Sequence, residues 1–316
     1  MDRLGTALGV LAIFGLTAWA AGGAVVDPPG KKGNPWRIGT PSAARYGKAR
    51  RVVSVNVGTD EILLSLLPPD RVAAVSALSD DPTVSSVTEL AKAVPGRVTM
   101  EAERILALEP DLLIVPPYTR REVLLQLEEG DMEILRIPDC YSVDDIRVHL
   151  RFLGEALGEP DRAEELVAEM DGTLAEVRHR TAGLPRPRVL YIGMNGDTMG
   201  KGTNFDLFVE AAGGLNVAAE TGIVGRGQIP LEKALALDPD IILVSSYRRG
   251  TSRAGKAGDM GVRPDLSADP AWRASRAVRE GRVRVLSGAH LLSTSHHVTK
   301  TAEDLARILH PECYAP

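Results

Sequence analysis

The segment Glu103-Arg104-Ile105-Leu106-Ala107-Leu108-Glu109-Pro110-Asp111-Leu112-Leu113-Ile114-Val115 returns later in the chain as Glu232-Lys233-Ala234-Leu235-Ala236-Leu237-Asp238-Pro239-Asp240-Ile241-Ile242-Leu243-Val244. Each copy runs from an acid and a base through an amphipathic helical stretch to an acid-Pro-Asp break and a four-residue aliphatic run. Proline cannot continue a helix, because it lacks the N–H and clashes with the preceding turn. An unbroken aliphatic run suits a parallel strand covered on both faces. A unit repeated in register predicts two similar α/β halves. The halves also open alike: Arg51-Val52-Val53-Ser54-Val55 and Arg188-Val189-Leu190-Tyr191-Ile192 run into glycine-containing turns and then into helical stretches at residues 59–67 and 204–212. Strands alternating with helices predict a parallel sheet in each half.

Between the halves, residues 143–181 contain no strand pattern. Ile146, Leu150, Leu153 and Leu157 keep helical spacing, Gly158-Glu159-Pro160 interrupts it, and Leu166, Met170, Leu174 and Val177 resume it. Asp161 with Glu164 reads as a capping box. A helix over residues 161–181 would be about 30 Å long, a stiff connector between two lobes. The expected organisation is a signal peptide (1–20), a Gly- and Pro-rich flexible leader (21–49), an N-terminal α/β lobe (50–142), connecting helices (143–186) and a C-terminal α/β lobe (187–316). The signal rests on Arg3, the uncharged apolar run from Leu4 to Ala24, and the small-residue pattern Ala18-Trp19-Ala20. A retained membrane anchor is the alternative, and no cysteine marks a lipoprotein.

Composition narrows the partners. In 316 residues, 37 Lys+Arg against 42 Asp+Glu give a formal charge of −5, the wrong sign for a protein that grips a phosphate backbone. Nucleic acid is therefore not an expected partner. Aromatics make up only 4%, few for stacking on a flat ligand. Two cysteines, Cys140 and Cys313, are either joined in an oxidising exported setting or separate thiols.

The strings RVVSVNVGTDEILLSLLPPDRVAAVS, ERILALEPDLLIV, SVDDIRVHLRFLGEALGEPDRAEELVAEM, GKGTNFDLFVEAAGGLNVAAE and IPLEKALALDPDIILV together resemble the helical-backbone (class III) substrate-binding proteins of ABC importers for iron–siderophores, haem and cobalamin. The resemblance spans residues 50–312, and Glu-Ala-Ala-Gly-Gly-Leu-Asn-Val-Ala is its most specific segment. It implies two lobes joined by a long helix, with the ligand clamped between them. It also implies that one glutamate per lobe, Glu103 and Glu232, meets arginines of a dimeric permease, although both would also gain from the helix dipole where they stand. The expected protein is a monomer that binds a small metal chelate and has no cofactor of its own.

Ligands of open parallel sheets bind outside the carboxyl ends of strands. Past Val115 come Tyr118, Arg120 and Arg121, and past Val244 come Tyr247, Arg248 and Arg249. Two phenols and four guanidiniums at matched positions suit an anionic, partly flat ligand. Matching family positions add Asn56, Arg226 and His290. Arg226 stands where cobalamin binders would carry an indole, which favours a ferric siderophore or haem over cobalamin. His296 and His297 either open the last helix or offer a metal ligand. Gly196-Asp197-Thr198-Met199-Gly200-Lys201-Gly202-Thr203 is one residue short of a phosphate loop and has Gly after the Lys; it is expected to be a loop approaching the ligand. Neither a Gly-x-Ser-x-Gly elbow nor a His-Glu-x-x-His motif occurs. The remaining alternatives to an importer component are a membrane-anchored sensor and a metal-cluster enzyme on the same plan, and the latter would need more cysteines.

Overall fold

The computed structural model describes residues 43–127, 132–137, 140, 142–193, 196–246, 266, 269–291 and 293–314. The signal segment, most of the leader, Tyr247, Arg248 and Arg249 lie outside the described residues. After a short helix α1 (Ala43–Tyr46), the N-terminal lobe alternates β1 (Val52–Ser54), α2 (Val57–Leu66), β2 (Val72–Ser76), α3 (Thr88–Ala91), β3 (Gly96–Val98), α4 (Ala102–Leu106), β4 (Leu112–Val115), α5 (Arg121–Leu127) and β5 (Glu133–Arg136). The strands form one parallel sheet in the order β3-β2-β1-β4-β5. Two helices follow, α6 (Val143–Leu157) and α7 (Pro160–Thr181). The C-terminal lobe contains β6 (Arg188–Tyr191), β7 (Asp197–Met199), α8 (Asn204–Ala211), β8 (Leu215–Asn216), β9 (Arg226–Gln228), α9 (Leu231–Ala236), β10 (Ile241–Ser245), α10 (Arg276–Arg279), β11 (Val283–Leu286), α11 (Gly288–Leu291) and α12 (Thr299–Leu309). Its main sheet is parallel, in the order β11-β10-β6-β8.

The repeated unit has the same structure twice, down to its hydrogen bonds. Glu109 (φ 45°) and Asp238 (φ 41°) both take the left-handed conformation that ends α4 and α9 before the proline. The next acid then holds the start of the neighbouring strand. Asp111 accepts from the Arg50 and Arg51 amides at 2.7 and 3.0 Å, and Asp240 accepts from the Arg188 amide at 2.8 Å. Arg51 and Arg188 return the favour through their side chains, donating to the equivalent carbonyls of Leu108 and Leu237.

The aliphatic runs are buried on both faces, as parallel strands require. Val52, Leu112 and Ile114 face one core, and Val53, Leu113 and Val115 face another. In the second lobe Val189, Ile241 and Leu243 join the first of these cores, while Leu190, Ile242 and Val244 form a third. One apolar core therefore continues from the N-terminal sheet through α6 and α7 into the C-terminal lobe.

The connector is an antiparallel helical hairpin in which α7, at 22 residues, is about 33 Å long. Arg147 pairs with Asp171 at 2.6 Å and Arg151 with Glu164 at 2.6 Å across it. A Cβ on Gly154 would lie 2.4 Å from the Ala163 Cβ, so only glycine allows the helices to approach this closely. Gly158 (φ 79°) ends α6 in the left-handed cap, and Pro160 opens α7. The capping box expected at Asp161 and Glu164 does not form: the α7 N-cap is Glu159, whose side chain makes no capping bond, and Glu164 is turned onto Arg151. The box lies instead at the start of α6, where Ser142 and Asp145 bond reciprocally. The buried Arg71 fixes the hairpin turn to the N-terminal lobe, donating to the carbonyls of Gly47, Ala49 and Leu157 and pairing with Glu159 at 3.2 Å. No helix among the described residues is long and apolar enough to cross a membrane.

Candidate functional site

The carboxyl ends of the strands in the two sheets carry the candidate cleft residues. In the N-terminal lobe the chain leaves β1 and reaches Asn56, the N-cap of α2, whose Oδ1 accepts from the Thr59 amide at 3.2 Å. Its Nδ2 donates to the Tyr118 hydroxyl at 2.8 Å. Past β4, Thr119 closes a turn by donating from Oγ1 to the Pro116 carbonyl at 2.8 Å. That turn presents the Tyr118 ring to solvent, 72% exposed. Arg120 and Arg121 are exposed beside it. The structure thus joins Asn56 and Tyr118, two residues singled out on separate grounds, in one hydrogen-bonded pair. Arg136 at the end of β5 was not singled out; it lies opposite Val115 in the sheet register, and its buried Nε has no partner among the described residues.

In the C-terminal lobe, the segment expected to be a glycine-rich loop is a strand. Residues Asp197, Thr198 and Met199 of β7 pair antiparallel with Gln228, Gly227 and Arg226 of β9. A bridge between Lys201 and Val224 extends this ribbon. Gly193 permits the tight turn into it: a Cβ there would meet the Asp197 carboxylate at 2.2 Å. Within the segment, a Cβ on Gly200 would fall 2.1 Å from the Ile223 carbonyl oxygen, so this glycine serves a close backbone approach inside the lobe. Arg226, Gln228, Lys201 and Val224 are exposed on this ribbon, which lies past the carboxyl end of β6. Burial and then the Asp197 carboxylate raise the pKa of the Tyr191 phenol, while the Arg226 guanidinium pulls it down. Asn204, the first residue of α8, leaves a buried Oδ1 without a partner among the described residues.

The three histidines singled out above are held in different ways. His290 on α11 places Nδ1 2.6 Å from Asp304 Oδ2 on α12. His296 and His297 form a short 3₁₀ turn that leads into α12 and packs on α6 and α7. Their rings lie 4.2 Å apart between centroids, tilted by 37° to each other. Burial, followed by the Arg162 and Lys300 charges, lowers His296 to about 4; burial, then His296, Lys300 and His290, lowers His297 to about 3. Among the described residues no group of three or more His, Cys, Asp or Glu side chains could hold a metal ion. Cys140 and Cys313 are both free thiols, so no disulfide joins them here. Cys140 donates to the Thr294 carbonyl at 3.8 Å, and burial raises its pKa to about 12. Glu103 and Glu232 occupy the second position of α4 and α9, equivalent places in the repeat, and both are exposed.

Beneath Asn56, α2 buries two adjacent carboxylates that sequence reasoning missed. Asp60 Oδ2 accepts from the Ser76 amide at 2.9 Å and from Ser79 Oγ at 2.7 Å, and burial raises its pKa to about 7. Glu61 accepts from the Ser86 amide at 2.7 Å and, across the lobe boundary, from Ser293 at 2.8 Å and from Ser295. Burial raises its pKa as well, against the opposing pull of these bonds.

A family model described as periplasmic binding protein matches residues 52–289. The chain belongs to this family. It is a family of binding proteins, in keeping with the lack of catalytic motifs in the sequence. Among curated relatives, a cobalamin-binding protein of Halobacterium salinarum is 27% identical over 197 residues, covering 61% of this chain and 53% of the relative. The chain thus spans about half the length of that relative. An ABC transporter substrate-binding lipoprotein of Bacillus subtilis, YvrC, described as uncharacterized, is 22% identical over 274 residues, 84% of this chain and 81% of the relative. Among solved structures, the periplasmic heme-binding protein RhuT from Roseiflexus sp. RS-1 superposes with a TM-score of 0.67 at 27% identity, over 84% of this chain and 99% of that one. The two parallel-sheet lobes and the helical connector are those of the class III binding proteins.

Proposed function

We propose that this protein is the exported ligand-capturing component of an ABC importer, and that it carries an iron complex, a ferric siderophore or haem, to its permease. The observation that carries the ligand class is the pairing of Asn56 with Tyr118, followed in the chain by the exposed Arg120 and Arg121; Arg136 at the end of β5 and Arg226 and Lys201 on the ribbon past β6 add further cations at strand ends. Guanidiniums recognise carboxylates bidentately. The Tyr118 oxygen accepts from Asn56 and retains electron density for a ferric ion, as in tyrosine-ligated haem. A cleft with these groups favours a carboxylated iron chelate over a neutral, amide-rimmed corrin. Haem offers both a ferric centre and carboxylates.

Delivery follows from the equivalent, exposed positions of Glu103 and Glu232, one on each lobe. Paired surface charges orient a docking partner more than they strengthen its hold. The name of YvrC and the family support an ABC importer as that partner. Cobalamin is the second reading, favoured by the curated relative in Halobacterium salinarum.

Titration with haemin, with ferric hydroxamate and catecholate siderophores, and with cyanocobalamin separates these readings. Haemin is expected to give a shifted Soret band that Tyr118→Phe alters and Arg136→Ala weakens at least tenfold. Binding of cyanocobalamin with none of the iron complexes bound would replace the iron reading with the second.

A further inference from the structure

Three consecutive residues of the C-terminal lobe are held by the N-terminal lobe. Ser293 and Ser295 both donate to Oε2 of Glu61, and their hydroxyls lie 3.0 Å apart. Thr294, between them, is pressed on α2 so closely that a Cβ on Gly58 would fall 2.0 Å from its Oγ1, and its carbonyl accepts from Cys140. The same serine hydroxyls order the strap that carries them: Ser293 Oγ accepts from the Ser295 amide, and Ser295 Oγ accepts from the His297 amide, each at 3.2 Å. Glu61 is fully buried and is fixed on its other oxygen by the Ser86 amide. Its remaining charged neighbours are Asp60 on the same helix and Lys300 on α12.

We propose that Glu61 is the positioning residue of the clamp: rooted in the N-terminal lobe, it seats residues 293–295 of the C-terminal lobe and so sets the width of the cleft. A buried carboxyl group deprived of its hydrogen-bond partners is costly. Such a seat accepts one geometry and resists sliding. Its leverage on the ligand runs through α2. Asn56, which orients Tyr118, caps this helix, and Gly58 and Glu61 lie on its first turns. A shift of the strap would therefore move the Asn56–Tyr118 pair and the opposite rim relative to each other. The seat itself stands on contacts between the lobes; its consequence for ligand capture rests on the cleft reading above.

Spin labels carried on ketone side chains at the exposed positions Lys92 and Glu210, one on each lobe, leave both native cysteines in place. Pulsed dipolar spectroscopy of ligand-free protein is expected to give a narrow distance distribution for the wild type. It should be broadened or displaced in Glu61→Gln and in the double variant Ser293→Ala/Ser295→Ala. Haemin should leave both variants at least tenfold faster than it leaves the wild type. A folded double variant with the wild-type distribution would overturn the proposal, and this variant alone decides if Glu61→Gln does not fold. A changed distribution in protein that binds haemin in none of its forms supports the seat and removes the ligand reading instead.

Discussion

His296 and His297 are neutral in the folded protein well into the acid range, because burial outweighs their protonation. In the unfolded chain each imidazole titrates near 6.5. Folded pKa values below the unfolded value mean that the folded state binds fewer protons, so their contribution is complete above pH 6.5 and is lost as pH falls towards about 4 and about 3. Each histidine then costs about 1.4 kcal/mol per pH unit over that window. Asp60 has the opposite sign. Its pKa is raised to about 7, so its contribution is present below about pH 4 and is lost as pH rises to 7. Urea midpoints measured between pH 7 and pH 4 are expected to fall less steeply for His297→Asn than for the wild type, and more steeply for Asp60→Asn. Parallel curves for all three proteins would show that these groups titrate as they do in the unfolded chain.

At the scale of elements, what was legible in the sequence was what is local. The aliphatic runs after Pro110 and Pro239 and the helical spacing from Ile146 to Val177 declare themselves within a few residues, because burial on a sheet or a helix face imposes a short period. The ribbon of β7 and β9 does not. Its two strands are separated by α8 and β8, and Asp197-Thr198-Met199 lacks an apolar alternation. Arg136 was hidden for a related reason: a cation at a strand end matters only when the register places it at the cleft. Glu61 looked like one more charge on a helix until its partners arrived from residues 293 and 295. The two capping candidates make the point testable. Ser142→Ala should cost about 1 kcal/mol of stability, because its side chain holds the Asp145 amide. Asp161→Ala should change stability by less than half of that, since its predicted box is not formed. Thermal denaturation of the two variants checks the contrast.

At the scale of the molecule, the repeat that announces two lobes also places one exposed glutamate on each. Reversing both, Glu103→Arg with Glu232→Arg, is expected to abolish uptake by the cognate permease reconstituted in vesicles while haemin affinity stays within about twofold. Unchanged uptake would remove the docking role. The lobes do not hang on a single strand of chain. A continuous apolar core, the Arg71 clasp and the close approach at Gly154 make the connector part of both interiors. Such a body gives up little disorder when a ligand arrives, so a larger share of each contact appears as affinity than in a freely swinging clamp. The corollary is thermodynamic: capture should show a small heat-capacity change, set by the cleft surface alone, with no added term for lobes folding onto one another.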